Sequence, residues 1–272
     1  MTEKTFRAFT VRTFFKSKLS TLFRLYSVEM LKTEWKIMSI KKKAAVIVTF
    51  VLIIVTFVLC FGAMSVKPVT GNEPNKITIV LDAGHGGIDG GVCGSQTGIK
   101  ESEINLAIVK KLQGYLESGG FSVVLTRKSD EGLYGVATSS RKKKDMLKRK
   151  QIIEESNADL VVSIHQNFYS SESRRGAQVF YKPNDEKAKI LSKCIQESYN
   201  AMEEAVRSCS PLTGDYYILN CSSVPSVICE CGFLSNPSDE IALSTDEYRE
   251  KIAYATFKGI ISYFAETSSK FF

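Results

Sequence analysis

The two histidines of this chain each follow an apolar segment typical of a buried β-strand. His85 comes directly after the segment 77–84, and His165 ends the segment 160–165. Open α/β sheets place their binding groups at the carboxyl ends of strands, so we expect both imidazoles in one site. Imidazole nitrogens are common metal ligands, and the pair therefore indicates a metal site. The alternative is a purely structural role for each histidine in the core or in a turn.

Two glutamates complete the predicted site. Glu101 begins a predicted helix after the glycine-rich loop 84–98, so its side chain can return to the end of the first strand. Glu230 lies in the apolar strand 227–231, where a buried carboxylate is costly unless it has a partner or a metal. The alternative is a glutamate at the solvent-exposed end of that strand. Two imidazoles and one carboxylate leave a zinc position open for water, and a second carboxylate can transfer protons.

Short apolar runs alternate with helical patterns between residues 76 and 272. This alternation predicts one α/β domain with a mostly parallel, twisted sheet and helices on both faces. The predicted strands are 77–82, 122–126, 160–165, 177–181, 216–219 and 227–231, and the predicted helices are 101–118, 145–156, 185–205 and 247–264.

The formal net charge of +7 is concentrated at the N-terminus. Residues 1–43 carry 11 Lys or Arg and three Asp or Glu, whereas residues 44–272 carry 25 basic and 26 acidic residues. A neutral domain lacks the basic surface of a nucleic-acid-binding protein, so we exclude that class. The basic run 141–150 is the local exception; it fits an exposed helix face or, alternatively, contact with an anionic polymer such as a cell wall.

Residues 44–62 form an uncharged apolar run directly after three lysines. As a helix the run would span about 28 Å, the thickness of a membrane interior, so we predict a transmembrane helix or a signal sequence. The lysines orient the N-terminus inward and the domain that follows outside the cytoplasmic membrane. Residues 1–43 would be a basic cytoplasmic tail, unless translation begins at Met30 or Met38, and residues 63–75 a linker.

Seven cysteines lack the spacing of a disulfide framework or a zinc-binding motif. Cys229 and Cys231 lie two residues apart on one predicted strand, which places their thiols on the same face with poor geometry for a disulfide. A cysteine hydrolase using one of these thiols with His165 is an alternative function. Neither thiol begins a helix, where its pKa would fall, and this argues against that alternative.

Three ordered motifs resemble those of zinc-dependent N-acetylmuramoyl-L-alanine amidases of the Amidase_3 class. The first is LDAGHGG at 81–87 followed by Lys100-Glu101, the second is ADLVVSIHQN at 158–167, and the third is PSVICECGFLSN at 225–236. Within that class the chain is most similar to the sporulation and germination-specific amidases of endospore formers. The resemblance covers nearly all of 76–264 and includes Arg149.

The resemblance implies a peptidoglycan hydrolase that cleaves the amide bond between N-acetylmuramic acid and L-alanine. It assigns zinc to His85, Glu101 and His165, and catalysis to Glu230. It further implies a role in spore-cortex maturation, together with a peptidoglycan deacetylase that closes muramic-δ-lactam, and a location in the spore envelope or intermembrane space. A catalytically inactive wall-binding or partner-binding protein is the remaining alternative, and the presence of all four site residues argues against it.

The residues beside the proposed ligands and the loop before Glu101 lead to two further predictions. Asp82 and Asn167 are expected to orient the metal ligands, as residues next to metal ligands commonly do. The loop 84–98 must become ordered when zinc binds, at a cost in backbone entropy. An envelope partner protein could assist zinc binding by ordering this loop; the alternative is an enzyme that holds its metal constitutively and is controlled only by when it is made.

Overall fold

The computed structural model describes residues 39–62, 76–137 and 139–268. The chain divides into two compact units between residues 71 and 72. In the first unit, helix α1 (Ile40–Gly62) contains the apolar run. Among the described residues, no helix has the length and apolar character that crossing a membrane requires. The predicted tail and linker, 1–43 and 63–75, lie largely outside the described residues.

The second unit contains a six-stranded sheet in the order β2-β1-β3-β6-β4-β5. Strands β2, β1, β3 and β6 are parallel, whereas β4 is antiparallel to β6 and parallel to β5. The predicted mostly parallel sheet is thus confirmed, except that β4 and β5 at one edge run in the opposite direction. The strands are β1 Thr78–Ala83, β2 Ser122–Leu125, β3 Leu160–Asn167, β4 Gln178–Tyr181, β5 Leu212–Thr213 and β6 Ser226–Phe233. The helices are α2 Glu101–Ser118, α3 Arg141–Glu155, α4 Glu186–Asn200, α5 Pro237–Ser244 and α6 Asp246–Ser268, with a 3₁₀ helix at Tyr217–Asn220.

The alternation of side chains along β1 separates two apolar layers. Ile79 and Leu81 are fully buried in the larger layer, which also contains residues of α2, α4 and α6. Val80 points into the smaller layer with Ile153 of α3 and Ile218 of the 3₁₀ helix. Successive side chains of a strand face opposite sides of the sheet, so helical segments cover both faces, as predicted.

The polar residues at the carboxyl ends of the strands follow the same alternation. Asp82, His165 and Glu230 have the parity of the strand residues in the smaller layer, so they point to the α3 side of the sheet. These three residues lie on the three central strands, β1, β3 and β6. The strand order and the alternation of side chains together place these three residues on one face of the sheet, at the carboxyl ends of the strands.

The structure differs most from the predicted elements in three places, and it adds two elements that were not predicted, strand β5 and helix α5. The segment predicted as a strand at 216–219 forms the 3₁₀ helix, in which the Leu219 amide donates to the Tyr216 carbonyl. Helix α3 begins at Arg141 instead of residue 145. Helix α4 ends at Asn200 instead of 205, because the Asn200 side chain hydrogen-bonds both the amide and the carbonyl of Cys209 and fixes the returning chain.

Candidate active site

His85, Glu101 and His165 meet at the carboxyl ends of β1 and β3. One ligand atom from each residue lies within 4.8 Å of the other two. The Oε1 atom of Glu101 is 2.9 Å from Nδ1 of His165 and 3.4 Å from Nε2 of His85. The two imidazole rings meet edge to face at a centroid distance of 5.1 Å. The structure thus brings together the three residues predicted to bind zinc.

Backbone geometry at the end of β1 brings the histidines together. His85 has a φ of +62°, a left-handed conformation that non-glycine residues rarely adopt outside sites that require it. The preceding residue must be glycine, because a Cβ atom on Gly84 would lie 2.2 Å from Cε1 of His165. The chain of β1 therefore passes directly against the second histidine, and the DAGH sequence is a steric requirement of the site.

Glu101 is the first residue of α2 and is 2 % exposed. Its carboxylate accepts hydrogen bonds from the backbone amides of Val92 and Gln166 at 3.1 Å each. Gly91 lies so close that a Cβ atom there would be 2.4 Å from Oε2 of Glu101. Burial alone would raise the pKa of this carboxyl, but hydrogen bonds with the two histidines outweigh burial and hold the pKa well below its usual range. Glu101 is therefore an anion at neutral pH.

Glu230 lies beside the three ligands. It is directly opposite His165 in the pairing of β3 with β6. Its Oε2 atom is buried and has no hydrogen-bond partner among the described residues. Burial raises the pKa of Glu230 to about 7, with Glu101 adding to the rise and the two histidines opposing it. A carboxyl group with this pKa can both accept and donate a proton near neutral pH.

A cavity of about 230 Å³ opens over these residues. Its walls come from the ends of β1, β3 and β6, from α3 and from the 3₁₀ helix. The lining residues are Asp82, Gly84, His85, Asp89, Lys142, Asp145, Met146, Arg149, His165, Tyr216, Tyr217, Ile218, Ile228 and Glu230. The predicted ligands His85 and His165 thus share one cleft with the predicted proton-transfer group.

Arg149 connects α3 to the end of β1. It donates from Nη1 to Oδ1 of Asp82 at 2.5 Å, from Nη2 to the His85 carbonyl at 2.5 Å, and from Nε to Asp145 at 2.6 Å. Burial would raise the pKa of Asp82, but Arg149 and the hydroxyls of Ser163 and Thr126 lower it to about 2. Asp82 thus acts on the site through Arg149, which holds the backbone of His85.

Asn167, which was also expected to orient the ligands, makes a different contact. Its Oδ1 atom accepts a hydrogen bond from the next amide, that of Phe168. The pairing of β3 with β6 is irregular between His165 and Asn167, so the regular alternation of the strand does not hold there. The neighbouring Gln166 contacts the site instead, through the hydrogen bond of its amide to Glu101.

Sequence reasoning missed Asp89 and Arg127. Asp89 accepts a hydrogen bond from Nδ1 of His85 at 2.9 Å, which leaves Nε2 directed at Glu101. Arg127 is buried and donates to the carbonyls of Ala83 and Gly84 at 2.8 and 3.1 Å. The signal for Asp89 was a carboxylate four residues after a histidine in a glycine-rich loop, and for Arg127 a charge at the end of a predicted strand.

The donor set fits zinc. Two imidazole nitrogens and one buried carboxylate oxygen converge on one point, and this His₂-carboxylate set with an adjacent open cleft is typical of catalytic zinc sites. The hydrogen bond from His85 to Asp89 fixes the imidazole orientation in the manner common for metal-bound histidines.

The thiols on β6 do not belong to this site. Cys229 and Cys231 are fully buried in the larger apolar layer, on the face of the sheet opposite Glu230. Burial raises the pKa of Cys229 to about 12 and that of Cys231 well above its usual value. Both are free thiols, and neither can serve as a thiolate nucleophile with His165.

Comparison with known proteins gives consistent matches. The Amidase_3 family, described as N-acetylmuramoyl-L-alanine amidase, matches residues 79–262. The germination-specific N-acetylmuramoyl-L-alanine amidase of Bacillus subtilis is 36% identical over 192 residues, which cover 69% of this chain and 80% of the relative. AmiA of Escherichia coli is 28% identical over 242 residues, covering 73% of this chain and 80% of the relative.

Solved structures agree with these matches. The CwlD amidase of Clostridioides difficile, solved in complex with the GerS lipoprotein, superposes with a TM-score of 0.68 at 40% identity and covers 70% of this chain and 100% of that structure. A second N-acetylmuramoyl-L-alanine amidase, from Clostridium difficile 630, superposes with a TM-score of 0.63 at 27% identity, covering 70% of this chain and 98% of that structure.

Proposed function

The chain belongs to the N-acetylmuramoyl-L-alanine amidase family, and we propose that it works as a zinc enzyme with Glu230 as the proton-transfer group. The reaction is hydrolysis of the amide bond between N-acetylmuramic acid and L-alanine in peptidoglycan. The observation that carries this proposal is the cluster of His85, Glu101 and His165 beside Glu230 and its cleft. The four side chains come from β1, α2, β3 and β6, and they converge only in the folded chain.

We assign the metal to the two histidines and Glu101. When bound, zinc would polarise the scissile carbonyl and lower the pKa of a water molecule towards about 7. Asp89 and Arg149 prepare the protein for this metal, because Asp89 sets which nitrogen of His85 is available and Arg149 holds the His85 carbonyl.

Glu230 performs the proton transfers. As a carboxylate it accepts a proton from the water that attacks the lactyl carbonyl carbon. As a carboxylic acid it then donates that proton to the departing L-alanine nitrogen when the C–N bond breaks. A pKa of about 7, caused by burial, suits a group that must exist in both forms during one turnover.

We further propose that the substrate is spore-cortex peptidoglycan. The support is the similarity to the germination-specific amidase of Bacillus subtilis and to CwlD of Clostridioides difficile. In this role the amidase removes the peptide from muramic acid, and a peptidoglycan deacetylase then allows muramic-δ-lactam to close. The substrate lies outside the cytoplasmic membrane, so we propose export, with residues 44–62 as the anchor or signal.

A partner protein is the third part of the proposal. The similar CwlD amidase was solved in complex with the lipoprotein GerS. We propose that an envelope protein binds this chain as well and orders the loop 84–98, which leads from His85 to Glu101. Zinc affinity measured with and without the co-expressed partner tests this idea, and equal affinity in both cases would contradict it.

Digestion of purified peptidoglycan tests the proposed reaction. Mass analysis should show free stem peptides that begin with L-alanine and glycan strands with unsubstituted muramic acid. Chelator should abolish this release, and Zn²⁺ should restore it. The Glu230→Gln variant is the matched control, because it should bind zinc and release nothing. Unchanged release after complete removal of metal would overturn the zinc assignment and leave the amidase function intact.

A further inference from the structure

Helix α3 begins with an unusual concentration of positive charge. Its first four residues are Arg141-Lys142-Lys143-Lys144, and its first turn contains no acidic residue. Ser140, the preceding residue, makes no side-chain hydrogen bond to the helix. The N-terminal end of a helix carries partial positive charge, so cations there oppose helix formation. Helix stability therefore does not explain this run.

One of the three lysines belongs to the active-site cleft. Lys142, Asp145, Met146 and Arg149 have the i, i+3, i+4, i+7 spacing of one helix face, and all four line the cavity. Lys143 and Lys144 fall outside that face, are exposed and do not line the cavity. The sequence run thus contains one lysine at the site and, beside it, equally charged lysines away from the site.

The carboxylates near Lys142 form their hydrogen bonds with other groups. Asp145 accepts from Arg149 and from the Leu133 amide, and Asp89 accepts from His85. Through space, Lys142 helps His85 to lower the pKa of Asp89. Within the described part of the chain, however, no hydrogen bond or ion pair holds the Lys142 ammonium group. Among the residues that the structure describes, it is the one lysine that lines the cavity.

One part of the cleft surface is aromatic and apolar. Tyr216 and Tyr217 of the 3₁₀ segment both line the cavity and remain 41% and 48% exposed. Aromatic rings offer flat faces to the C–H groups of a sugar ring, and a lysine offers a cation to an anion. The two halves of a muramoyl peptide, a sugar and a peptide that carries carboxylates, match these two kinds of surface.

We propose that Lys142 is a specificity-determining residue that binds a carboxylate of the substrate peptide. The proposal rests on the amidase function proposed above. Lys142 would favour muramoyl peptides that carry a free carboxylate over the same peptides with that carboxylate amidated. It acts on binding, because its ammonium group lies on α3 and not among the groups that transfer protons or bind the metal. Its loss should therefore change KM more than kcat.

A matched pair of substrates and a matched pair of variants test this proposal. The substrates are two synthetic muramoyl peptides that differ only in one peptide carboxylate or its carboxamide. The variants are Lys142→Met and Lys143→Met, each made in the full chain loaded with zinc. Wild type and Lys143→Met should prefer the acid by about three- to tenfold in kcat/KM, as expected for a partly exposed charge pair. Lys142→Met should lose this preference through a higher KM for the acid alone.

Three other outcomes would overturn the proposal. Wild type and Lys142→Met could show the same acid-to-amide ratio, which would exclude a contact with the carboxylate. Both variants could lose activity equally on whole peptidoglycan, which would indicate general attraction of the basic run to an anionic polymer. Wild type could cleave neither substrate, which would reject the proposed amidase function itself. Thermal melting of both variants checks that each remains folded, as expected for exposed lysines.

Discussion

His165 and Glu230 are directly paired on the neighbouring parallel strands β3 and β6. The pairing places the proposed metal ligand and the proposed proton-transfer group on the same face of the sheet, with strand spacing between them. Backbone hydrogen bonds between β3 and β6 therefore fix the spacing between His165 and Glu230.

Replacement of Glu230 by Gln should separate catalysis from metal binding. Glutamine keeps the size of the side chain but cannot accept the proton from water, so kcat should fall by about 10²- to 10⁴-fold. Zinc content should stay at the wild-type level, because His85, Glu101 and His165 are unchanged. Turnover near the wild-type rate would remove Glu230 from the mechanism.

Replacement of His165 by Ala should abolish stoichiometric zinc. The variant loses one imidazole ligand and also the ring that contacts Glu101 at 2.9 Å. Metal analysis after gel filtration measures the effect, and the Tyr169→Ala variant, changed in the exposed loop beyond β3, is the control. A full equivalent of zinc in His165→Ala would show that the ligand assignment is wrong.

Much of this site could be predicted because its residues occupy strand ends. His85 and His165 each follow an apolar run, and Glu230 interrupts one, so residue type and position already indicated chemistry. Helix α2 was predicted with its correct bounds, since Glu101 follows a glycine-rich loop and Gly119 follows its last residue. Each of these signals lies within a short stretch of the chain, so one sequence is enough to detect it.

The parts that could not be predicted depend on contacts between distant residues. The apolar residues at 216–219 fit a strand by composition, but they pack as a 3₁₀ helix against Ile153 of α3. The reversed direction of β4 depends on its pairing with β6, which no local pattern encodes. Arg127 and Arg149 bind backbone carbonyls of the β1 end, and residue spacing alone does not encode such contacts; the family resemblance included Arg149 but not its contact.

Replacement of Gly84 by Ala should damage the site without removing any functional group. A Cβ atom there would lie 2.2 Å from Cε1 of His165, so the ring or the end of β1 must move. We expect a loss of zinc and activity of at least about tenfold, as for a ligand displaced from its productive geometry. Gly114→Ala in α2 is the control, because nothing lies within 4 Å of its added methyl group. Equal activity of the two variants would contradict the steric role of Gly84.

The buried pair of Asp82 and Arg149 should make stability depend on pH in acid. The pKa of Asp82 is about 2 in the folded chain, below its ordinary value of 3.8. A lowered folded-state pKa stabilises the fold above the unfolded value, and this contribution disappears as the pH falls through the folded value. Asp82 should thus contribute about 2 kcal/mol that is present above pH 3.8 and lost towards pH 2.

Replacement of Asp82 by Asn isolates that contribution. The variant leaves the buried Arg149 guanidinium with Asp145 as its remaining carboxylate partner, so the free energy of unfolding at neutral pH should fall by about 2–3 kcal/mol. Denaturant titrations of both proteins between about pH 5 and 2 measure the difference. The gap between wild type and variant should narrow as the pH falls below 3.8, because protonation removes the same charge from the wild type. A gap that stays constant over this range would show that Asp82 keeps its ordinary pKa and that the ion pair does not stabilise the end of β1.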